Sequence, residues 1–346
     1  MTKKQALLRG ELVLLRATVT FVVTLLCWSA WGQETAAVRA AREAVGWCSP
    51  GAWRDYTNNP ILSPGSSGSW DAGAIETMTV VRVGDWYHLY YEGWAAGKPN
   101  GLGVIQIGHA LSREGVHWTK DPANPVLPRG TGNDWDYNGT WDPFVIYEDG
   151  MFKMWYGGSS GDDVCEWGYA TSRDGVHFVK QCRLSHLGRV EDDHVVHDQK
   201  SGRYFMYYWD RHYEPQGLYC AQSPNETNFD FAGAQPVHIA GLPYTNTMYK
   251  FPHVFQDGGQ WFMYFGKFVR PGCSGCWTGF ATSQDGLRWQ LQNPQVMQCH
   301  DAFILKVTDG LYFMYYGPEG YFDQPADDIR LAVYKGELSA LGKNGK

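Results

Sequence analysis

The sequence predicts an all-β fold built from five similar units, and three features support this. Gly (41), Tyr (21), Trp (16) and Phe (16) are abundant, whereas only 19% of residues are charged; aromatic residues are frequent in strands. A motif Ala-x-Ser-x-Asp/Glu-Gly recurs at residues 110–118, 170–178 and 281–289, with a degenerate copy at 221–229. Alternating aromatic and aliphatic blocks occur at residues 86–93, 151–157, 203–208, 260–266 and 311–317. Regular recurrence of this kind indicates a repeat architecture.

Each repeat contains the strands of one propeller blade. An acidic residue followed by Gly between two apolar segments favours a tight hairpin, because Gly accepts positive φ and Asp caps its own turn. Four antiparallel strands in a repeat of about 50 residues are typical of a β-propeller blade. We therefore predict a five-bladed β-propeller over residues 53–340. The alternative is a pair of β-sandwich domains, which rarely repeat so regularly.

The last repeat ends at residues 331–334 without an outermost strand. We expect a segment near residues 53–63 to supply that strand. The ring would then be closed by a strand from the N-terminal side of the propeller.

The N-terminus resembles an export signal. Lys3, Lys4, Arg9 and Arg16 precede a charge-free stretch at residues 17–33, with small residues before a cut near Gln33. This pattern predicts a signal peptide at residues 1–32, a lead segment at 33–52 and a tail at 341–346, in a secreted or periplasmic protein. The alternative is an uncleaved membrane anchor; beyond this segment we expect no membrane contact.

Charge and cysteine content restrict the partners and the redox chemistry. The 29 Lys and Arg against 36 Asp and Glu give a formal charge of −7, which argues against a nucleic-acid partner because phosphates require a clustered basic surface. Downstream of residue 32 the number of cysteines is odd. The pair Cys273 and Cys276 favours a local disulfide in an exported protein over half of a zinc site.

Acidic residues recur at the start of the predicted innermost strands. Counting back from the aromatic blocks aligns Asp142 with four residues: Thr77, Asp192, Phe251 and Ala302. The third unit requires two extra residues in its turn. One position earlier lie Glu76, Trp141, Glu191, Lys250 and Asp301. Innermost strands surround the central axis, so these residues should converge at one mouth of the channel. Neighbouring residues on a strand face opposite sides. The residues aligned with Asp142 and those one position earlier can therefore both reach the mouth only if a bulge interrupts the strand.

Further polar and aromatic residues fall near the same strand starts. His194, His253 and His300 can bind sugar hydroxyls or act as proton donors, because imidazole titrates near neutral pH. We expect Trp141 to stack on a sugar ring. Asp71, in a Trp-Asp pair that recurs at residues 135–136, is either a loop cap or a substrate ligand. We assign no residue as a metal ligand, although the channel of such a fold can hold a structural divalent cation.

The chain resembles the five-bladed propeller glycoside hydrolases. The resemblance rests on the Trp141-Asp142-Pro143-Phe144 entry, the Met-x-Tyr/Phe strands and the Ala-x-Ser-x-Asp-Gly hairpins. That group includes glycoside hydrolase family 43, the invertases and levansucrases, and families 117 and 130. The resemblance implies three cooperating carboxyl groups from the first three blades and a carbohydrate substrate, with no required cofactor.

The resemblance also implies a role for each acid. Asp142 resembles the acid that tunes its neighbour, and Glu191 or Asp192 resembles the general acid. Glu76 is the nearest first-blade carboxylate, and we expect it to activate water or attack the sugar. The family has Asp one position later, where this chain has Thr77. That departure leaves the identity of the base open, with Asp71 and Asp301 as alternatives to Glu76, and it leaves a non-catalytic carbohydrate-binding propeller open. A further alternative is a phosphorylase that uses a cationic pocket near Lys250 and Arg54.

Overall fold

The computed structural model describes residue 39 and residues 52–95, 104–161, 165–184, 190–210, 217–242, 247–269, 276–318 and 328–341. Apart from residues 39, 52 and 341, the predicted signal, lead segment and tail lie outside these described residues. Within them, no helix is long and apolar enough to span a membrane.

Five sheets form the five predicted blades. In each blade the chain passes from the innermost strand outward through antiparallel neighbours, and two short strands at outer edges, in the last and the fourth blade, come earlier in the chain. The first strand, β1 (Arg54–Asp55), belongs to the last blade. Blade one contains β2 (Ala74–Val83), β3 (Trp86–Trp94), β4 (Gln106–Ser112) and β5 (Thr119–Lys120). Blade two contains β6 (Gly139–Glu148), β7 (Met151–Ser159), β8 (Glu166–Ser172) and β9 (Val179–Arg183). Blade three contains β10 (Val190–Asp198), β11 (Arg203–Asp210), β12 (Gly217–Ser223) and β13 (Gln235–Pro236).

Blade four has an additional strand that the repeat did not predict. It contains β14 (His238–Ala240), β15 (Thr247–Asp257), β16 (Gln260–Val269), β17 (Trp277–Ser283) and β18 (Arg288–Met297). The short β14 pairs in parallel with β18 at the outer edge. Blade five contains β19 (His300–Thr308), β20 (Leu311–Gly317) and β21 (Arg330–Lys335), followed by a short 3₁₀ helix (Leu338–Ala340).

Strand β1 closes the ring, as predicted. It pairs antiparallel with β21 through Arg54–Val333 and Asp55–Ala332. The hydroxyl of Tyr316 donates to Asp55 Oδ1 at 2.6 Å. The last blade is therefore completed by residues that precede the first blade in the chain.

The Ser-x-Asp-Gly motif forms the turn between the third and fourth strands. In blade two, Ser172 Oγ accepts the N–H of Gly175 at 3.0 Å, and Asp174 Oδ1 accepts the N–H of His177 at 2.9 Å. Gly175 has φ +79°, a conformation that glycine adopts without steric cost. The motif thus recurs in the sequence because each of these turns needs the same backbone geometry.

The same turns tie neighbouring blades together. Tyr90 of blade one donates its hydroxyl to the carbonyl of Gly175 at 2.9 Å, and Tyr315 of blade five donates to Gly115 of blade one at 2.9 Å. Tyr207 of blade three donates to Gly286 of blade four at 2.6 Å. Most aromatic residues of the repeats are buried between blades, so the aromatic excess is largely a packing requirement.

The Tyr315 bond links the last blade to the first, so its loss should weaken ring closure. Replacing Tyr315 with phenylalanine keeps the buried ring and leaves the Gly115 carbonyl without its donor. We expect a loss of about 0.5–1.5 kcal/mol in the free energy of unfolding. Urea denaturation of wild type and variant measures this, and an unchanged midpoint would contradict the assignment.

Candidate active site

Each innermost strand carries a β-bulge at the level where the sequence predicted the site. One residue in each bulge has positive φ: Thr77 (26°), Asp142 (46°), Asp192 (58°), Phe251 (51°) and Asp301 (49°). Positive φ is uncommon outside glycine and is strained for β-branched or bulky residues. Such strain persists only where the surroundings hold the backbone, and it concentrates at functional sites.

The bulges confirm four of the five aligned positions and correct the fifth. Asp301, and not Ala302, is the counterpart of Asp142 in blade five, so His300 is the counterpart of Trp141. The reason is a second bulge in β19, between Lys306 and Thr308, which adds one residue to this strand. Counting back from the aromatic block therefore stops one residue too late in the sequence.

The carboxyl groups of successive blades hold the backbone of the next bulge. Asp142 Oδ2 accepts the N–H of Asp192 at 3.1 Å. The N–H of Asp142 is in turn bound at 2.8 Å by Oε2 of Glu92, which lies on β3. All three acids are buried. Blades one, two and three are thus connected at the channel mouth by their own acids.

Burial of these acids changes their protonation. Burial raises the pKa of Asp142, and the nearby Glu92 raises it further. Burial also raises the pKa of Glu92 to about 8, with repulsion from Asp301, Asp192 and Glu191 adding to the effect. The pKa of Asp192 is raised by burial despite the attraction of Lys250. Carboxyl groups that keep a proton near neutral pH can act as general acids.

Lys250 is the cation of this cluster. Its Nζ lies 3.2 Å from Glu191 Oε2 and 3.3 Å from Asp192 Oδ2, and 4.6 Å from the ring centroid of Trp209. Burial lowers the pKa of Lys250, but attraction by Asp192 and Glu191 outweighs this and raises it. Because one ammonium group reaches both acids, Glu191 and Asp192 both face Lys250, and the bulge explains how adjacent residues do so.

Two rings lie beside the bulges, each above a glycine of the neighbouring strand. A side chain at Gly157 would collide with Trp141, and one at Gly317 would collide with His300. Nδ1 of His300 lies 2.9 Å from Asp301 Oδ2, which also accepts from Thr77 Oγ1 at 3.4 Å. Trp141 is half-buried, so part of its ring remains accessible next to Asp142.

The channel below the carboxyl groups is narrow. Its cavity of about 50 Å³ is lined by three consecutive residues from each innermost strand, at 77–79, 142–144, 192–194, 251–253 and 301–303. This space holds a few water molecules and is too small for a sugar ring. Asp193 faces this channel, and neither of its side-chain oxygens has a hydrogen-bond partner among the described residues; burial raises its pKa.

Two of the predicted histidines belong to the channel wall. The His194 ring lies 3.9 Å from the ring centroid of Phe144, and His253 Nε2 donates to the Ile304 carbonyl at 3.0 Å. Burial lowers the pKa of both, that of His253 to about 3. The structure therefore places His194 and His253 below the acids, whereas His300 lies at their level.

The lowered pKa of His253 predicts a pH dependence of stability. Between pH 6.5 and 3 the unfolded chain binds a proton at this position and the folded chain does not, so stability falls as the pH decreases. Lowering the pH from 6.5 to 5 should reduce the free energy of unfolding by about 2 kcal/mol through this group. Urea denaturation across this range should show a shallower slope for His253→Gln than for wild type; identical slopes would contradict it.

Asp71 lies apart from the acid cluster. It is buried and bound by Lys120 Nζ of the outer strand β5 at 2.5 Å and by the Tyr91 hydroxyl at 3.1 Å. Asp136 of blade two is held in the same way, by Lys180 at 2.6 Å and Tyr156 at 3.2 Å. The Trp-Asp pair is thus a repeated structural device whose carboxylate is engaged by the outer strand, and the substrate-binding role of Asp71 stays a prediction.

The structure adds Glu92, which the sequence reasoning missed. Glu92 pairs with Glu76 across β2 and β3, and both side chains are buried. The equivalent position on the second strand is Gly157, Gly266 or Gly317 in three other blades and Trp209 in blade three. An alignment of the aromatic blocks places Glu92 at a position where three other blades have glycine, and this difference could have indicated Glu92 from the sequence.

In the described part of the chain, no group of three or more His, Cys, Asp or Glu side chains is arranged to hold a metal ion.

Comparisons with known proteins agree with the fold. No family model matches the chain. The chain is 30% identical over 235 residues to the uncharacterized protein Rv1502 of Mycobacterium tuberculosis, covering 61% of this chain and 73% of that one. It is also 30% identical over 113 residues to a sucrose-6-phosphate hydrolase of Escherichia coli, covering 30% of this chain and 22% of the hydrolase.

Solved structures of two carbohydrate-active enzymes share the architecture. A β-1,2-mannobiose phosphorylase of Listeria innocua has a TM-score of 0.67 at 13% identity, covering 84% of this chain and 98% of the other. A thermostable family-43 glycoside hydrolase has a TM-score of 0.60 at 17% identity, covering 79% and 91%. The chain belongs to the same family as the uncharacterized mycobacterial protein, and it has the fold of the five-bladed β-propeller glycoside hydrolases.

Proposed function

We propose that this protein hydrolyses a glycosidic bond of an oligosaccharide or polysaccharide at the propeller mouth. The supporting observation is the set of buried carboxyl groups from adjacent blades, in which Asp142 binds the N–H of Asp192 at 3.1 Å. Burial raises the pKa of both groups, which favours the protonated form that a general acid needs. Glycoside cleavage needs such an acid, because the leaving oxygen must be protonated while the anomeric carbon is attacked.

The proposed roles follow the positions of these groups. Glu191 or Asp192 protonates the leaving oxygen, and Lys250, which contacts both, orients them and counters their charge. Asp142 fixes the bulge that carries Asp192 and tunes its neighbour. Glu76 activates water or attacks the sugar. The half-exposed Trp141 ring offers an apolar face to the C–H groups of a sugar.

The substrate class follows from the charge at the mouth. Glu191, Asp192 and Asp301 lie in one acidic cluster, and Lys250 is already paired with the first two of them. Among the residues that the structure describes at this cluster, acids outnumber cations, so an anionic sugar would be repelled there. We therefore infer a neutral carbohydrate.

A phosphorylase is the second candidate, and Thr77 is the observation that favours it. Phosphate is itself a nucleophile and needs no activating base, so a chain without a carboxylate at position 77 suits phosphorolysis. Against it, the Lys250 ammonium group is already engaged by Glu191 and Asp192.

Turnover on a defined panel separates these functions. The panel contains sucrose, sucrose 6-phosphate, β-1,2-mannobiose and nitrophenyl glycosides of neutral sugars, each with and without inorganic phosphate. Hydrolysis without phosphate supports the proposal, and strict phosphate dependence supports the phosphorylase. Binding of oligosaccharides by calorimetry without turnover of any of them would show a carbohydrate-binding propeller instead. EDTA treatment should leave hydrolysis unchanged.

We also propose that the protein is exported, with residues 1–32 as the signal. The basic flank and apolar core of these residues support this. Mass spectrometry of the protein from its native host should show a mature chain beginning near Gln33; an intact N-terminus in the cytoplasmic fraction would contradict it.

A further inference from the structure

The bulges of blades two and three are connected by a simple rule. The bulge residue of one blade, Asp142, uses its carboxyl group to accept the N–H of the next bulge residue, Asp192. The same rule applied to blade one would require an acid at position 77 to accept the N–H of Asp142. Thr77 has no carboxyl group, so the chain needs another acceptor at this point.

Glu92 provides that acceptor from the neighbouring strand. Its Oε2 lies 2.8 Å from the N–H of Asp142. Glu92 is longer than an aspartate and begins on β3, one strand further from the axis. Its carboxyl group therefore reaches the N–H of Asp142, which the same rule would assign to an acid at position 77. A donor buried as deeply as this N–H is costly to leave without a partner.

We propose that Glu92 supplies the first-blade carboxyl group of the site in place of an acid at position 77 and acts as a positioning residue for Asp142. This inference rests on the proposed function where it concerns catalysis. Its structural part, the exchange of Thr77 for Glu92 as the acceptor, stands independently of any activity.

The surroundings of Glu92 show that it belongs to the acid cluster and not only to the blade core. Asp301, Asp192 and Glu191 lie close enough to act electrostatically on its carboxyl group. Its cross-strand neighbour is Glu76.

A rescue experiment tests the exchange. Glu92→Ala removes the acceptor and should lower the melting temperature by about 3–6 °C. Adding Thr77→Asp to this variant should recover at least half of the loss, because aspartate accepts positive φ better than the β-branched threonine. If Glu92→Ala does not fold, recovery of folded protein in the double variant is the predicted rescue. A double variant no more stable than Glu92→Ala overturns the inference.

Activity gives the second readout on the glycoside cleaved best in the panel. Glu92→Ala should lower kcat by roughly 10–100-fold with KM changed less than about 3-fold, and Thr77→Asp should restore kcat at least about 5-fold. Glu92→Gln keeps an oxygen acceptor, so it should retain most of kcat while shifting the pH profile. Unchanged kcat in Glu92→Ala would overturn the positioning role.

The matched control is Glu148→Gln. Glu148 lies at the opposite end of the Asp142 strand and binds Lys153 at 2.8 Å, so kcat and its pH profile should match wild type. If wild type cleaves no glycoside, the proposed function fails, while the melting-temperature rescue still decides whether Glu92 replaces an acid at position 77.

Discussion

Replacing Asp142 with asparagine lowers turnover of the cleaved glycoside by roughly 10²–10⁴-fold and leaves the propeller folded. The amide oxygen of asparagine still accepts the N–H of Asp192, so the bulge of blade three keeps its support. The variant loses only the ionisable group, whose pKa is raised by burial and by Glu92. The expected result is therefore a change in chemistry without a change in fold.

The measurement is kcat together with the melting temperature of the same preparation. Asp136→Asn is the matched control, because Asp136 is also a buried acid of blade two but binds Tyr156 and Lys180 away from the mouth. Asp136→Asn should lower the melting temperature and keep the kcat of the folded fraction. Full turnover in Asp142→Asn would remove this acid from the proposed mechanism.

Replacing Lys250 with methionine lowers the free energy of unfolding by about 3–5 kcal/mol at pH 8, because it leaves Glu191 and Asp192 in a buried site without their counter-ion. The loss should shrink as the pH falls. Burial raises the pKa of Asp192, so this acid can then take up a proton, and a neutral carboxyl group does not need the ammonium. Stability of the variant relative to wild type thus improves from pH 8 to pH 5.

Urea denaturation at the two pH values tests this directly. Lys120→Met is the control, since Lys120 pairs with Asp71 on the outer strand and is more exposed. Its removal should cost about 1 kcal/mol. A loss below about 1 kcal/mol for Lys250→Met at both pH values would show that the cluster does not depend on this ammonium group.

The repeats carry enough information to predict the fold. Ser-x-Asp-Gly turns recur because the turn backbone needs glycine at positive φ, as at Gly175, and the aromatic blocks recur because adjacent blades pack through them. The missing outer strand of the last repeat correctly indicated closure by β1. In contrast, β14 has no counterpart among the described strands of other blades, and its pairing with β18 was not predictable from the repeat.

The candidate site was predictable only where the strand register was regular. Asp142 and Asp192 aligned correctly because their turns were counted correctly, whereas the bulge near Val307 displaced Asp301 by one position. Glu92 was not predicted because it lies on a second strand, from which its long side chain reaches the backbone of Asp142. The contacts of Asp71 were not predictable, because a sequence pattern does not show which lysine or tyrosine a buried acid contacts.

The most direct test of the proposed site is a crystal structure of Asp142→Asn with the uncleaved glycoside bound. We predict a sugar at the mouth, with its ring against Trp141 and the glycosidic oxygen about 2.6–3.2 Å from a carboxyl oxygen of Glu191 or Asp192. A sugar bound on the outer face of a blade, with the mouth empty, would contradict the proposed site.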